Sequence, residues 1–296
     1  LSPRDAMNFK LLTCATAAAV LLAACASSSK PEAAGCPGAA EVQALASAYA
    51  ARQPAANPPP MSAEAGICGR NKLVRQLETQ ALGSRVGYKA GLTNPAVQKR
   101  FNYDRPVLGV LFANMLLPNG AVVDAKFGAR PLHEADMLVR VSDERINQAR
   151  TPAEVLAAID QVIPFIELPD LVVQDPSKLS GPQVNYINVG ARLGVVGQPI
   201  APTPDLLDKL ASMKVTLIDA DGKAFDGGTG SDILGHPLNA VIWMAQDLAA
   251  QGQRLRKGEL LSLGSFSKLH PPKAGQRTRV VYEGLPGNPS VSVSFK

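Results

Sequence analysis

The segment Val162-Ile163-Pro164-Phe165-Ile166-Glu167-Leu168 sets the hardest condition on the fold. It is apolar except for Glu167, and an apolar run of this length reads as a buried strand. A lone ionised carboxylate there costs several kcal/mol unless something neutralises it. Whatever the chain folds into must therefore bring a compensating group to Glu167.

A second acidic strand precedes it. In His133-Glu134-Ala135-Asp136-Met137-Leu138-Val139 alternate residues share a face. Ala135, Met137 and Val139 point one way, and Glu134 and Asp136 point the other, about 6.5–7 Å apart along the strand. Two carboxylates so placed can converge on one cation, although the polar face of a half-buried strand reads the same way. Glu167 shifts the balance, because a metal shared with Glu134 and Asp136 would neutralise it. Three carboxylates without Cys or His favour a hard divalent cation, Mg²⁺ or Mn²⁺, with Ca²⁺ also compatible. His133 falls on the opposite face of its strand and reads as structural. In Gly87-Tyr88-Lys89-Ala90-Gly91-Leu92-Thr93 a single lysine stands between glycines, which allow a ligand close to the backbone. Lys89 can pair with an anionic substrate or take part in proton transfer, and an exposed strand lysine is the plainer alternative.

The formal charge of +5 over 296 residues is spread evenly, without a Lys/Arg run and with few aromatics, so nucleic-acid binding has no support. That length suits one large domain or two small ones. The first thirty residues read as an address. After Met7 and Lys10 comes the apolar run Leu11 to Ala24, too short for the ~20 residues a membrane span needs, so residues 1–24 read as a secretory signal. The ending Leu22-Ala23-Ala24-Cys25 resembles a bacterial lipobox, with lipid attached at Cys25, and Ala26 leans the destination toward the periplasmic side of the outer membrane. Residues 25–35 then form a flexible tether. In an oxidising periplasm the remaining pair, Cys36 and Cys68, is expected to form a disulfide.

Helical periodicity predicts helices over Glu41–Gln53 and Gly69–Leu82, a helical portion within residues 36–85. From Val86 the pattern changes to strands. Asn119-Gly120 and Asp221-Gly222 read as hairpin turns. Thr151-Pro152-Ala153-Glu154 is a capping box starting a helix through Ile159. His236–Ala250 reads as another helix, with strands at Leu260–Phe266 and Ser290–Phe295. The fold class is α+β, with a mostly β domain over residues 86–296.

These segments together resemble the 2-keto-4-pentenoate hydratase and 4-oxalocrotonate decarboxylase family of the fumarylacetoacetate hydrolase superfamily. GYKAGLT at 87–93 is similar to the family's GYK-x-GLT, and Leu108-Gly109-Val110-Leu111-Phe112 to the segment after it. HEADMLV resembles its E-x-E strand and FIELPD its later glutamate strand. Leu234-Gly235-His236-Pro237-Leu238-Asn239-Ala240 looks like its LGHPLNA, and Gly264-Ser265-Phe266-Ser267 like its GS-F/L-T turn. The order is right, and the likeness runs from about Met61 to Phe295.

The resemblance implies a β-rich mixed roll like the fumarylacetoacetate hydrolase C-terminal domain, with Mg²⁺ or Mn²⁺ held by Glu134, Asp136 and Glu167. It implies an active-site role for Lys89, a place near substrate for Ser265, and a substrate contact for Asn185. It also places Asn114 in the catalytic set, where hydratases commonly carry adjacent acids. Here that stretch is Phe112-Ala113-Asn114-Met115, and neither Ala113 nor Asn114 can act as a general base. The activity implied is hydration of a 2-hydroxy-alka-2,4-dienoate through a metal-stabilised enolate. Decarboxylation of a 2-keto-diacid is the sibling outcome. A non-catalytic 2-keto-acid-binding lipoprotein, anchored to the membrane by its lipid, is the alternative of another class. A homo-oligomeric assembly stays open.

Overall fold

The computed structural model describes residues 32–296. The signal, Cys25 and most of the tether lie outside the described residues. In chain order the helices are α1 (Ala39–Ala51), α2 (Ala63–Glu78), α3 (Pro95–Arg100), α4 (Pro152–Leu156), α5 (Gly181–Tyr186), α6 (Leu206–Ser212) and α7 (Asn239–Ala250). The strands are β1 (Arg85–Gly91), β2 (Val107–Phe112), β3 (Leu116–Pro118), β4 (Val122–Val123), β5 (Glu134–Val141), β6 (Ile159–Leu168), β7 (Leu193–Val196), β8 (Lys214–Ile218), β9 (Ala224–Thr229), β10 (Leu260–Ser262), β11 (Arg277–Glu283) and β12 (Ser290–Phe295).

Two mixed sheets result. The larger runs β2-β1-β10-β5-β6-β7-β3, and the smaller runs β4-β12-β11-β8-β9. Strands β5 and β6 lie mid-sheet, which explains why nearly all of their residues, on both faces, are buried. The smaller sheet shows the alternation of a half-covered one, as in Ser290–Phe295 with Val291, Val293 and Phe295 buried. Tyr282 of β11 ties the two sheets together. Its buried hydroxyl accepts from the Phe165 N–H at 3.1 Å and shares its proton between the carbonyls of Phe165 and Asp136. The free edge of β2 is capped by a side chain: the Asn188 amide accepts from Val110 N–H at 2.8 Å and donates to Val110 C=O at 3.0 Å, as a neighbouring strand would.

The expected α+β class and β-rich roll are present, and the helical portion packs onto the roll through α2 and α5. The Cys36–Cys68 disulfide is formed, joining the segment before α1 to α2. Several boundaries differ for local reasons. Helix α2 starts earlier than Gly69 because the Ser62 hydroxyl accepts from Ala65 N–H and caps it. Helix α4 stops at Leu156 because Ile159 already belongs to β6. Helix α7 starts at Asn239, since His236 spends its ring on capping Leu238 N–H. Asp221-Gly222 does join the hairpin β8–β9, but Asn119-Gly120 is not a hairpin turn. It separates β3 from β4, which pair with β7 and β12 in different sheets.

Candidate active site

Register brings the two acidic strands together. β5 and β6 are antiparallel, and Glu134 stands directly opposite Glu167, with Asp136 opposite Phe165. Lys89 arrives from β1, where it pairs with Ser262 of the intervening β10. Its ammonium forms an ion pair with Glu167 and donates to the Val189 carbonyl at 3.0 Å. Relative exposure is 2% for Lys89, 9% for Glu134, 0% for Asp136 and 3% for Glu167, so none of these charges is solvated by bulk water.

The glycines beside Lys89 allow close packing within the protein; Gly91 also lines the cavity, as a ligand approach requires, whereas Gly87 does not. A Cβ on Gly87 would lie 1.8 Å from the Leu260 carbonyl of β10, and one on Gly91 would lie 2.4 Å from Cγ1 of Val189. Val189 has φ of +54°, between Asn188 at +55° and Gly190 at +65°. A β-branched residue in the left-handed region is strained. The strain aims the Val189 carbonyl at Lys89, and Asn188 locks the turn to β2.

Burial dominates the electrostatics. It pushes Lys89 down from its ordinary value, opposed by the charges of Glu134 and Asp136. It pushes Glu134 up, opposed chiefly by Lys89. Asp136 is raised to about 6 by burial, and its hydrogen bonds act against the rise. Those bonds come from the Ser262 hydroxyl, the Gly264 N–H at 3.0 Å and the Met137 N–H at 2.5 Å. With every group ionised, three carboxylates against one lysine leave two negative charges in excess, all on oxygen donors; a hard divalent cation fits that balance. Their oxygens do not all lie within 4.8 Å of one another, because Glu167 is turned onto Lys89 and Asp136 onto β10. The metal-type side chains that do cluster so closely among the described residues are Glu32, Cys36 and Cys68, and the disulfide uses both sulfurs.

Lys89, Glu134 and Glu167 form the inner end of a cavity of about 290 Å³. Leu92, Val97, Phe101, Leu171, Val189 and Leu269 give it apolar walls, and Ser265 lies on its lining. Asp136 sits outside this lining, held by β10. Two expected site residues are elsewhere. Asn185 accepts from the buried Arg70 guanidinium at 3.3 Å and does not line the cavity. Asn114 is exposed, donates to the Ala81 carbonyl at 3.0 Å, and faces a different cleft with Tyr49 and Gln80. It sits in the single 3-10 turn Ala113–Met115 that follows β2, at the end of that strand away from Gly91. His133 lies between the sheets among Phe225, His270 and Phe295, as a structural residue would. Sequence reasoning missed Val189 and Ser262. Neither carries a charge to notice, although three successive left-handed residues are hinted at by Asn188 and Gly190.

A mixed sheet that brings a buried lysine and two acids to one end of an apolar cavity, with a third acid behind them, has a fold of the fumarylacetoacetate hydrolase type. No family model matches the chain. Among curated proteins, 2-keto-4-pentenoate hydratase 2 of Dechloromonas aromatica (strain RCB) is 30% identical over 210 residues, 69% of this chain and 76% of that protein. The 2-hydroxyhexa-2,4-dienoate hydratase of Comamonas testosteroni is 31% identical over 209 residues, 70% and 78% of the two chains. Among solved structures, 4-oxalocrotonate decarboxylase from Pseudomonas putida G7, complexed with magnesium and adipate, superposes with a TM-score of 0.77 at 25% identity, covering 87% of this chain and 96% of that one. The chain belongs to the 2-keto-4-pentenoate hydratase and 4-oxalocrotonate decarboxylase family.

Proposed function

We propose that the chain is a divalent-metal-dependent hydro-lyase that adds water to a 2-hydroxy-alka-2,4-dienoate. The observation that carries this reading is the meeting of Lys89, Glu134 and Glu167 at the buried end of an apolar cavity, with Asp136 behind them. Hydratase relatives and a magnesium-bound, adipate-bound structural neighbour support it.

Glu134, Asp136 and Glu167 would hold Mg²⁺ or Mn²⁺. The bound cation supplies Lewis-acid stabilisation of negative charge developing on the substrate's 2-oxygen. The apolar walls take the hydrocarbon chain and exclude bulk water, which strengthens every charge interaction inside. Lys89, held by the Val189 carbonyl, presents Nζ protons to the acid's anion, and burial lowers the cost of giving one up. The Ser265 hydroxyl, on the cavity lining, would orient the substrate. The carboxyl of Glu134, raised by burial, is a second group able to move a proton in the cavity. Because Asn114 faces another cleft, its lack of an acid removes nothing from the cavity lining. The test is a Mg²⁺-dependent fall in the ultraviolet absorbance of short 2-hydroxy-dienoates. A ligand-dependent rise in melting temperature without turnover would instead favour a 2-keto-acid-binding protein.

The compartment belongs to the same reading: lipid at Cys25 would hold the protein on the periplasmic side of the outer membrane. The Cys36–Cys68 disulfide supports export, since such bonds persist in oxidising compartments. In a bacterial host the wild type should partition with membranes and Cys25→Ala should be released. Equal partitioning and equal mass of the two would refute lipidation.

A further inference from the structure

Three backbone segments meet at Asp170, which is buried and does not line the cavity, although its neighbours Pro169 and Leu171 do. Its carboxylate accepts from the N–H of Ala129 at 3.1 Å and of Arg130 at 2.7 Å, and the Arg192 guanidinium lies 3.6 Å away. Its own N–H donates to the Gly190 carbonyl at 2.8 Å. On either side of it, the Pro169 carbonyl accepts from Leu132 N–H at 2.9 Å, and Leu171 N–H donates to the Arg130 carbonyl at 3.3 Å. The approach is close: a Cβ on Gly128 would lie 2.4 Å from Asp170 Cγ. Each segment leads to one group of the site. Residues 128–132 lead into β5, whose first residue is Glu134. Asp170 itself follows Glu167 at the end of β6. Gly190 follows Val189, whose carbonyl accepts from Lys89.

Resting on the metal site proposed above, we infer that Asp170 is a positioning residue of that site, fixing Glu134, Glu167 and the Val189 carbonyl relative to one another without touching substrate or metal. Glu134 and Glu167 pair at the end of the β5–β6 ladder, where pairing is most easily lost. The connection between β4 and β5 has no helix or strand to anchor it. The Asp170 carboxylate supplies that anchor. Its bonds to two N–H groups are charge-assisted and strong, and a buried carboxylate is costly to leave half-satisfied. The loop is therefore held in the arrangement that satisfies both oxygens. Because the N–H of the same residue holds Gly190, a shift of Asp170 is passed on to the turn that carries Val189. Arg192 balances the buried charge from the other side, 4.1 Å from the Tyr49 ring centroid, and lies off the cavity lining.

The experiment uses the full chain with Asp170→Asn and, as control, Arg192→Met, which removes the ion pair and leaves the Ala129 and Arg130 bonds to Asp170. Two amides report by hydrogen exchange without any ligand: Leu132 N–H, bonded to Pro169, and Val110 N–H, bonded to the Asn188 side chain beside Val189. In chelator, D170N should exchange both at least about 10-fold faster than its loss of stability in urea accounts for, the scale of one lost hydrogen bond. Its Mg²⁺ affinity by calorimetry should fall at least about 10-fold. R192M should lose stability, show no excess exchange at either amide, and keep its Mg²⁺ affinity. If D170N does not fold, G128A takes its place, because its methyl displaces the carboxylate without removing it. Three outcomes would overturn the inference and leave the hydro-lyase reading standing: no excess exchange in the Asp170 variant, wild-type Mg²⁺ affinity in it, or R192M matching it in every readout. A wild type that binds no Mg²⁺ would sink the metal reading, and the exchange comparison would still decide this one.

Discussion

Glu134 stands directly across from Glu167 on neighbouring strands, and Glu167 is turned onto Lys89. Like charges directly opposite in a sheet are destabilising. The lysine relieves one member of the pair, and burial moves Glu134 toward its neutral form. On the proposed metal assignment, a bound cation and Lys89 would compete for the Glu167 carboxylate.

Removing that carboxylate's charge should weaken metal binding. Glu167→Gln keeps the shape and removes one of three anionic donors. Calorimetric titration of chelator-treated protein should show Mg²⁺ affinity reduced at least about 10-fold, the scale seen for lesser changes around metal ligands. Wild-type affinity in the variant, or no Mg²⁺ or Mn²⁺ binding by wild type at millimolar concentration, would sink the metal assignment.

Removing the competitor should do the opposite. Lys89→Met leaves Glu167 buried without a partner, which costs about 3–5 kcal/mol when one member of a buried pair is lost. The variant should therefore unfold more easily in chelator, regain stability on adding Mg²⁺, and bind Mg²⁺ at least as tightly as wild type. Its binding of 2-oxo acids should weaken, because the anion loses Nζ. Denaturant titrations with and without Mg²⁺ check this, and an equal stability loss in both conditions would contradict it.

Glu167 was legible in the sequence because it is a lone charge in an apolar strand, Glu134 and Asp136 because alternation sets both on one face of theirs, and Lys89 because it stands alone between glycines. The turn Asn188-Val189-Gly190 was not, since its role depends on a carbonyl and on backbone angles that no side chain reports. Asn119-Gly120 misled for a related reason. A turn dipeptide fixes local reversal but not which partner each flanking strand takes, and here β3 and β4 diverge into separate sheets. Asn114 and Asn185 were placed by similarity of position alone; neither had a physical constraint tying it to the cavity, and Asn185 instead satisfies the buried Arg70.

The turn's role predicts a coupled pair. In Gly91→Ala the new methyl would lie 2.4 Å from Cγ1 of Val189 and 3.3 Å from Cγ2 of Val107. Overpacking of this kind costs about 1–3 kcal/mol. The displaced turn should also carry the Val189 carbonyl off Lys89 and lower 2-oxo-acid binding. Val189→Ala removes the obstructing methyl, so the double variant should recover part of both losses, with a coupling energy of about 0.5–3 kcal/mol. Strictly additive effects in a double-mutant cycle would show that the contact does not matter.

His236 should give the fold a pH dependence away from the buried acids of the cavity. The half-buried ring accepts from Leu238 N–H through Nδ1 at 3.1 Å, so Nε2 is assigned the proton and donates to the Leu207 carbonyl at 3.0 Å. Burial holds its pKa below the ordinary value, while the Leu207 contact and Asp208 pull weakly the other way. The folded state therefore favours the neutral ring, and below the unfolded value of about 6.5 the unfolded chain binds more protons. The stability this ring contributes is full above that pH and is lost as pH falls through the depressed folded value. His236→Asn keeps an acceptor for Leu238 N–H but loses the Leu207 bond, which is worth about 0.5–1.5 kcal/mol net. Urea denaturation should find the wild type more stable by about that amount at pH 7.5, with the gap narrowing toward pH 5. A gap that stays constant or widens on acidification would mean that the ring is protonated in the folded protein and that the capping assignment is wrong.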